Sequence, residues 1–190
     1  MATAPTLPLV SVDEYLNTSY SPDVEFVEGR LIEKGMPTAF HQLLSAILLA
    51  WFRKYEKEFH IKALADVRTQ IVERARYRLP DVMVSTTPAL FTRIMTRVPN
   101  IVIEILSPDD TQKESLLRFR DYQQLGVSHL ILMDPEEHIA WRFENDSLIK
   151  TDFRSLSLPD RPDMPFDSAA IFDQLRREIA EYEGRDYSAR

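Results

Sequence analysis

The chain has 190 residues, of which 44% are hydrophobic and 28% charged, a composition that predicts one globular domain over residues 1–190 and excludes a largely disordered chain. It has no cysteine, which excludes disulfides and thiolate zinc sites, and its formal net charge of -7 argues against a dedicated nucleic-acid binder, although it is compatible with a locally basic cleft. The first residues lack a signal-peptide pattern and the longest apolar run, Leu43 to Phe52, is too short to cross a bilayer, so we expect a cytoplasmic protein without membrane contact.

The first part of the chain predicts a short helix, a hairpin and one long helix. After a flexible arm over residues 1–9, Ser11 can cap a short helix. The alternation in Val24–Ile32 predicts two short strands that turn at Gly29. His41–Phe59 carries its apolar residues at helical spacing and is nearly free of helix breakers, so it predicts a largely buried helix.

The middle of the chain predicts a series of short strands around a loop. The strands are expected at Ile61–Asp66, Thr69–Glu73, Asp81–Val84 and Ile101–Leu106, with residues 73–78 as a charged connection. Residues 85–99 predict a loop with one short helix at Ala89–Thr92.

The last part of the chain predicts helices alternating with strands. Residues 107–111 stop a strand and begin a helix over Gln112–Leu125, which ends at Gly126 as a left-handed cap. The remaining predicted elements are strands at Ser128–Pro135, His138–Phe143 and Leu148–Phe153, a loop at Pro159–Pro165 and a terminal helix over Asp167–Glu183, within residues 166–184. The strand–helix–strand order predicts a parallel strand pair, so the fold class is α/β (α+β): a mixed sheet flanked by helices.

Two carboxylates stand in consecutive apolar strands, Asp81 at the start of one and Glu104 inside the next. Burying an ionised carboxylate without a partner is costly, so the two acids suggest a shared partner. A divalent cation is the simplest one, because oxygen ligands suit magnesium or manganese. The structural alternative is that Asp81 ends a turn after Pro80 and that Glu104 pairs with an arginine.

Several short motifs together resemble one family. In chain order they are Val10–Leu16, Val24–Gly29, His41, Pro80-Asp81, Glu104–Pro108, Tyr122–Val127 and Asp134-Pro135. Their order and spacing are similar to those of the Uma-two family of "putative restriction endonucleases", a former domain of unknown function and a branch of the PD-(D/E)xK nuclease superfamily. The resemblance covers most of the chain and implies a restriction-endonuclease-like core, with three to four strands in a mixed sheet.

The resemblance also implies a metal site. Asp81 and Glu104 would be catalytic residues and ligands of Mg²⁺ or Mn²⁺, with the carbonyl of Ile105 as a third ligand. Glu25 matches an early glutamate of the family and could be a further ligand or a supporting acid, the alternative being an exposed hairpin residue. The metal would activate water and stabilise the charge that develops during phosphodiester cleavage.

The basic residue departs from the superfamily pattern, in which a lysine stands two residues after the second acid. This chain has Leu106 at that position. In the Uma-two branch the basic residue lies four positions before the tyrosine, where this chain has Arg118 before Tyr122. Arg118 can lean toward the sheet and bind a phosphate or carboxylate, but it stays protonated and cannot act as a general base. Lys113 is a weaker substitute on another helix face, the alternative being a solvated lysine.

Further side chains could serve a nucleic-acid substrate. His41 opens the long helix and could contact a phosphate or move a proton, or instead bond a loop carbonyl. Arg74, Arg76 and Arg78 alternate, which predicts three guanidinium groups on one side of an extended run. They could follow a phosphate backbone, and a solvated edge strand explains them equally well.

These observations predict a metal-dependent endonuclease that hydrolyses phosphodiester bonds in DNA. The main alternative is a nuclease-fold module that binds DNA or a protein partner without cleavage, and a third is a metal-dependent hydrolase of a small phosphoester. Cleavage of both DNA strands needs two active sites, so we expect a homodimer with the terminal helix at its interface.

Overall fold

The computed structural model describes residues 9–35, 37–86, 93–108 and 112–184. The helices are α1 (Val12–Asn17), α2 (Ala39–Phe59), α3 (Gln112–Leu125) and α4 (Ser168–Tyr182). The strands are β1 (Val24–Val27), β2 (Arg30–Glu33), β3 (Lys62–Leu64), β4 (Thr69–Val72), β5 (Arg76–Arg78), β6 (Val82–Ser85), β7 (Ile101–Ile105), β8 (His129–Asp134), β9 (Ile139–Glu144), β10 (Ser147–Lys150), β11 (Ser155–Leu156) and β12 (Met164–Pro165). None of the described helices is long and apolar enough to cross a membrane.

The large sheet has the strand order β10-β9-β8-β7-β6-β3. Its β7 and β8 are parallel and joined through α3, which confirms the predicted crossover, and β6 runs antiparallel to β7. The sheet is wider than the three to four strands that the resemblance implies. The mixed sheet with helices on it confirms the predicted fold class.

Side-chain alternation along β7 divides the core between the two faces of the large sheet. Ile101, Ile103 and Ile105 belong to one apolar cluster with α2 and α4. Val102 belongs to a second cluster, which contains α3 and against which Leu106 packs. Glu104 therefore lies on the face that α3 covers, as the alternation predicts.

A smaller sheet has the order β2-β1-β5-β4 and contains the predicted hairpin. The hairpin turns at Glu28 and Gly29, whose φ angles are 51° and 83°. Positive φ angles at both residues are typical of the two-residue turns whose twist matches that of the paired strands. The prediction of a charged connection over residues 73–78 is wrong, because Arg76–Arg78 form β5 and pair with β1. Arg74 lies in the preceding turn with φ 57°, so the three arginines do not alternate along one extended run.

Several element boundaries also differ from prediction. The helix α2 begins at Ala39, since Thr38 caps it by accepting from the backbone N–H of His41. A two-residue ladder between β11 and β12 stands partly in the segment predicted as a loop. Residues 1–8 of the predicted arm, the short helix at Ala89–Thr92 and the helix start at residues 109–111 lie outside the described residues.

Candidate active site

Asp81 lies where the chain passes from the small sheet to the large one, directly after Pro80 and before β6. Its carboxylate is 3% exposed. The Oδ2 atom accepts the backbone N–H of Ile105 at 2.7 Å and lies 3.3 Å from Nε2 of His41. These contacts tie the Asp81 side chain to β7, just beyond Val82 and Ile103, the last paired residues of β6 and β7.

Glu104 is equally buried and projects from β7 toward α3. Its Oε1 accepts a hydrogen bond of 2.8 Å from the hydroxyl of Tyr122. Its Oε2 lies 3.7 Å from Nζ of Lys34, and the same ammonium lies 2.5 Å from Oδ1 of Asp81. The two acids, which we call the acid pair, thus share a cationic partner within the described structure.

Lys34 is the site residue that the sequence interpretation missed. It directly follows β2, and its ammonium also donates to the carbonyl of Leu79 at 2.6 Å. Its partner Asp81 lies 47 residues away, so no local spacing connects the two. The predicted hairpin could have pointed to it. Glu33 pairs with Val24, so Lys34 lies at the end of the hairpin that bears Glu25.

Burial and neighbouring charges shift the acidities of this group. Burial raises the pKa of Glu104 to about 7 against the opposing effect of Lys34, and the charge of Asp81 adds to the rise. Burial would also raise the pKa of Asp81, but the Lys34 ammonium and the hydrogen bond of His41 hold it well below its usual range. Asp81 is therefore the stronger acid of the two, and Glu104 is the weaker one.

Glu25 belongs to a second buried charge cluster and is fully buried, so the alternative of an exposed hairpin acid is wrong. Its Oε2 lies 2.5 Å from Nη1 of Arg78 and 3.6 Å from Nε of Arg118. Its Oε1 accepts the backbone N–H of Leu79 at 3.2 Å. The backbone of Leu79 thus links Glu25 to Lys34, because its N–H donates to Glu25 and its carbonyl accepts from the Lys34 ammonium.

Arg78 is 7% exposed and bonds two carboxylates, Glu25 on β1 and Asp121 on α3. Arg76 bonds the other oxygen of Asp121 at 2.6 Å and reaches Glu28 at 2.8 Å. We call Glu25, Arg78, Asp121, Arg76 and Glu28 the arginine network. The expectation that Arg78 follows a phosphate backbone is wrong, because its guanidinium is buried between two acids.

Of the other predicted residues, some lie near Asp81 and others lie away from it. His41 contacts Asp81 and not a loop carbonyl, and Arg118 lines the same cleft. Lys113 is exposed near the start of α3, and Leu106 packs against the apolar cluster under that helix.

An open cleft of about 270 Å³ lies over Asp81 and Lys34. It is lined by residues that include Lys34, His41, Asp81, Ile105 and Arg118. Asp23 and Asp66 also line it, so its charges are mixed and not uniformly basic. Of the residues that the sequence assigned to chemistry, Asp81, Ile105, His41 and Arg118 line the cleft.

The acid pair fits a magnesium ion in its donor chemistry. Asp81 Oδ1 and Glu104 Oε2 are hard oxygen donors that face one point, and magnesium often takes one or two carboxylates and completes its shell with water and phosphate. Among the described residues, no group of three His, Asp or Glu side chains is placed to hold a metal. Because both carboxylate oxygens approach the Lys34 ammonium, an ion held between them would take the position of that ammonium.

The mixed sheet thus carries one acid at the entry to β6 and the other inside the neighbouring β7. The family model described as "Uma2: Putative restriction endonuclease" matches residues 12–164, and the chain belongs to this family, which confirms the resemblance.

A crystal structure of a protein from Anabaena variabilis, described as a "putative nuclease belonging to DUF820", has a similar fold. The two chains share 22% identity with a TM-score of 0.71, over 87% of this chain and 99% of the other. A comparison with curated proteins gave no match.

Proposed function

We propose that this protein is a divalent-metal-dependent endonuclease that hydrolyses phosphodiester bonds in DNA. The observation that carries the proposal is the acid pair, because two buried carboxylates each direct one oxygen at the Lys34 ammonium, and Lys34 and Asp81 line an open cleft. Family membership and the nuclease-like fold support the same class of reaction.

Asp81, Glu104 and the carbonyl of Ile105 would hold Mg²⁺ or Mn²⁺, which when bound supplies a Lewis acid and lowers the pKa of a bound water. Hydrolysis forms a bond from a water oxygen to phosphorus and breaks one P–O ester bond, whose electron pair leaves with an alcohol oxygen that gains a proton. The backbone N–H of Ile105 orients Asp81, and the hydroxyl of Tyr122 orients Glu104. Arg118 can bind a phosphate oxygen in the cleft.

The test is a cleavage assay on supercoiled DNA with Mg²⁺ or Mn²⁺ and with EDTA. We expect metal-dependent nicking, and we expect Asp81→Asn and Glu104→Gln each to reduce it at least about 100-fold, because metal stabilisation amounts to several kcal/mol. Asp152→Asn, a change at an exposed aspartate, is the matched control and should cleave normally. Cleavage that persists in both site variants or in EDTA would exclude the acid pair as the site.

The second candidate is a module that binds DNA without cleaving it. The contact of Lys34 with both acids favours it, because an ammonium already neutralises the pair in the absence of a metal. DNA binding in EDTA, measured by fluorescence anisotropy, together with no cleavage at any metal concentration would select this candidate.

A further inference from the structure

Lys34 holds a position in the site that neither Leu106 nor Arg118 holds. Leu106 packs against the apolar cluster under α3. Arg118 lies 3.6 Å from Glu25 and lines the cleft. Within the described part of the chain, the Lys34 ammonium lies 2.5 Å from Asp81 and 3.7 Å from Glu104, so this one side chain reaches both acids.

The fold fixes Lys34 at this place. It follows β2 directly, and β2 is held in register by four residue pairs with β1. The ammonium is also anchored by the carbonyl of Leu79, in the segment that links the two sheets. The Lys34 side chain is 17% exposed, so it is sheltered and still borders the cleft.

We propose that Lys34 is the catalytic lysine of this site, delivered from the end of β2 and not from the strand that bears Glu104. Without substrate, its ammonium neutralises the acid pair. With DNA and metal bound, the ammonium leaves Asp81 Oδ1 and donates to a phosphate oxygen in the cleft. This inference rests on the proposed function and adds one residue to its machinery.

The chemistry of a lysine suits this role. An ammonium is a compact charge with three donors on a flexible stem, so it can exchange a carboxylate for a phosphate oxygen by rotating its side chain. The guanidinium of Arg118 stays protonated and is larger and planar. We therefore assign phosphate binding to both residues and the contact with the acid pair to Lys34.

The test compares Lys34→Met with the matched surface change Lys62→Met. Lys62 begins β3 and pairs with Glu56. Three quantities are measured: Mn²⁺ binding without DNA, the cleavage rate kcat, and the response of kcat to added ethylammonium. For Lys34→Met we expect Mn²⁺ affinity equal to or up to about tenfold above wild type, since a competing cation is removed. We expect kcat to fall at least about 100-fold and ethylammonium to restore it about tenfold. Lys62→Met should match wild type in all three.

The outcomes separate this inference from the proposed function. If Lys34→Met cleaves like wild type, or if its cleavage falls only in step with lost Mn²⁺ binding, Lys34 has no catalytic role and the endonuclease proposal stands. If ethylammonium leaves kcat of the variant unchanged, the ammonium contact with substrate is excluded. A wild-type protein that neither binds Mn²⁺ nor cleaves DNA overturns both proposals.

Discussion

The arginine network and the acid pair with Lys34 both contact the backbone of Leu79, yet they are built differently. In the network, Glu25 and Asp121 bond Arg78 at 2.5 and 2.7 Å, and Arg76 bonds Asp121 as well. In the acid pair, two carboxylates share one ammonium, at 2.5 and 3.7 Å. With Arg118 at 3.6 Å from Glu25, three arginines face the three carboxylates of the network, whereas in the acid pair one lysine faces two carboxylates.

The difference supports a structural role for the arginine network and the proposed catalytic role for the acid pair. Arginine stays protonated in proteins, so the network has a fixed charge and joins β1 and β5 to α3. In the acid pair, burial raises the pKa of Glu104 against the opposing effect of Lys34, and the charge of Asp81 adds to the rise. Strongly perturbed carboxylates in a cleft are typical of functional sites.

Breaking the arginine network should have the largest effect on stability. Arg78→Met removes the cation between Glu25 and Asp121 and leaves two buried acids, so we expect a loss of about 3 to 5 kcal/mol in the free energy of unfolding. Arg120→Met removes an exposed arginine that pairs with Asp146 and should cost about 0.5 kcal/mol or less. Urea denaturation measures both, and equal losses would contradict a structural role for the network.

Removing the ionisable group of Glu104 should change how stability depends on pH in metal-free protein. The folded pKa of Glu104 lies above that of an unfolded glutamate, so its contribution to stability is complete below about pH 4 and is lost as the pH rises through 7. Glu104→Gln cannot ionise and escapes this loss.

Relative to wild type, Glu104→Gln should therefore gain on the order of 2 kcal/mol between pH 5 and pH 8. Thermal or urea unfolding in EDTA at both pH values measures the gain. Glu58→Gln, at an exposed position of α2, is the control and should show no such difference. A Glu104→Gln variant with the same stability relative to wild type at both pH values would show that folding does not raise the pKa of Glu104.

Removing the hydroxyl of Tyr122 should loosen Glu104 without breaking either cluster. Tyr122→Phe deletes the hydrogen bond to Oε1, and we expect a loss of about 1 to 2 kcal/mol in stability. Cleavage should fall about tenfold, because Glu104 is then held by fewer contacts. Tyr182→Phe changes a hydroxyl at a 95% exposed side chain and should leave both quantities unchanged. Identical behaviour of the two variants would refute an orienting role for Tyr122.

A charge outside both clusters should have the smallest effect. Asp167 caps α4 by accepting the backbone N–H of Ala170, and this hydrogen bond lowers its pKa. Asp167→Ala should cost about 1 kcal/mol at pH 7. Because the pKa is lowered, the contribution is present above the usual aspartate range and is lost as the pH falls through the folded value. A cost at pH 3 equal to that at pH 7 would contradict a charged cap.

The sequence correctly predicted the features that depend on residues close to one another in the chain. The helix α3 ends before Gly126, which has φ 95°, as its sequence indicates, and the alternation in β7 places Glu104 on the correct face. The strand β5 was missed because three residues with two arginines read as a solvated connection. Its burial depends on Glu25 and Asp121, which are 53 and 43 residues away from Arg78. The same reason hid Lys34, since its contact with Asp81 exists only in the folded chain.

The most direct measurement of the metal site is a crystal structure of the protein soaked in millimolar Mn²⁺, with anomalous scattering to locate the ion. We expect one Mn²⁺ between Oδ1 of Asp81 and Oε2 of Glu104, with the ammonium of Lys34 moved away from Asp81. The absence of an ion there, with Lys34 still on Asp81, would contradict the assignment of the acid pair as a metal site.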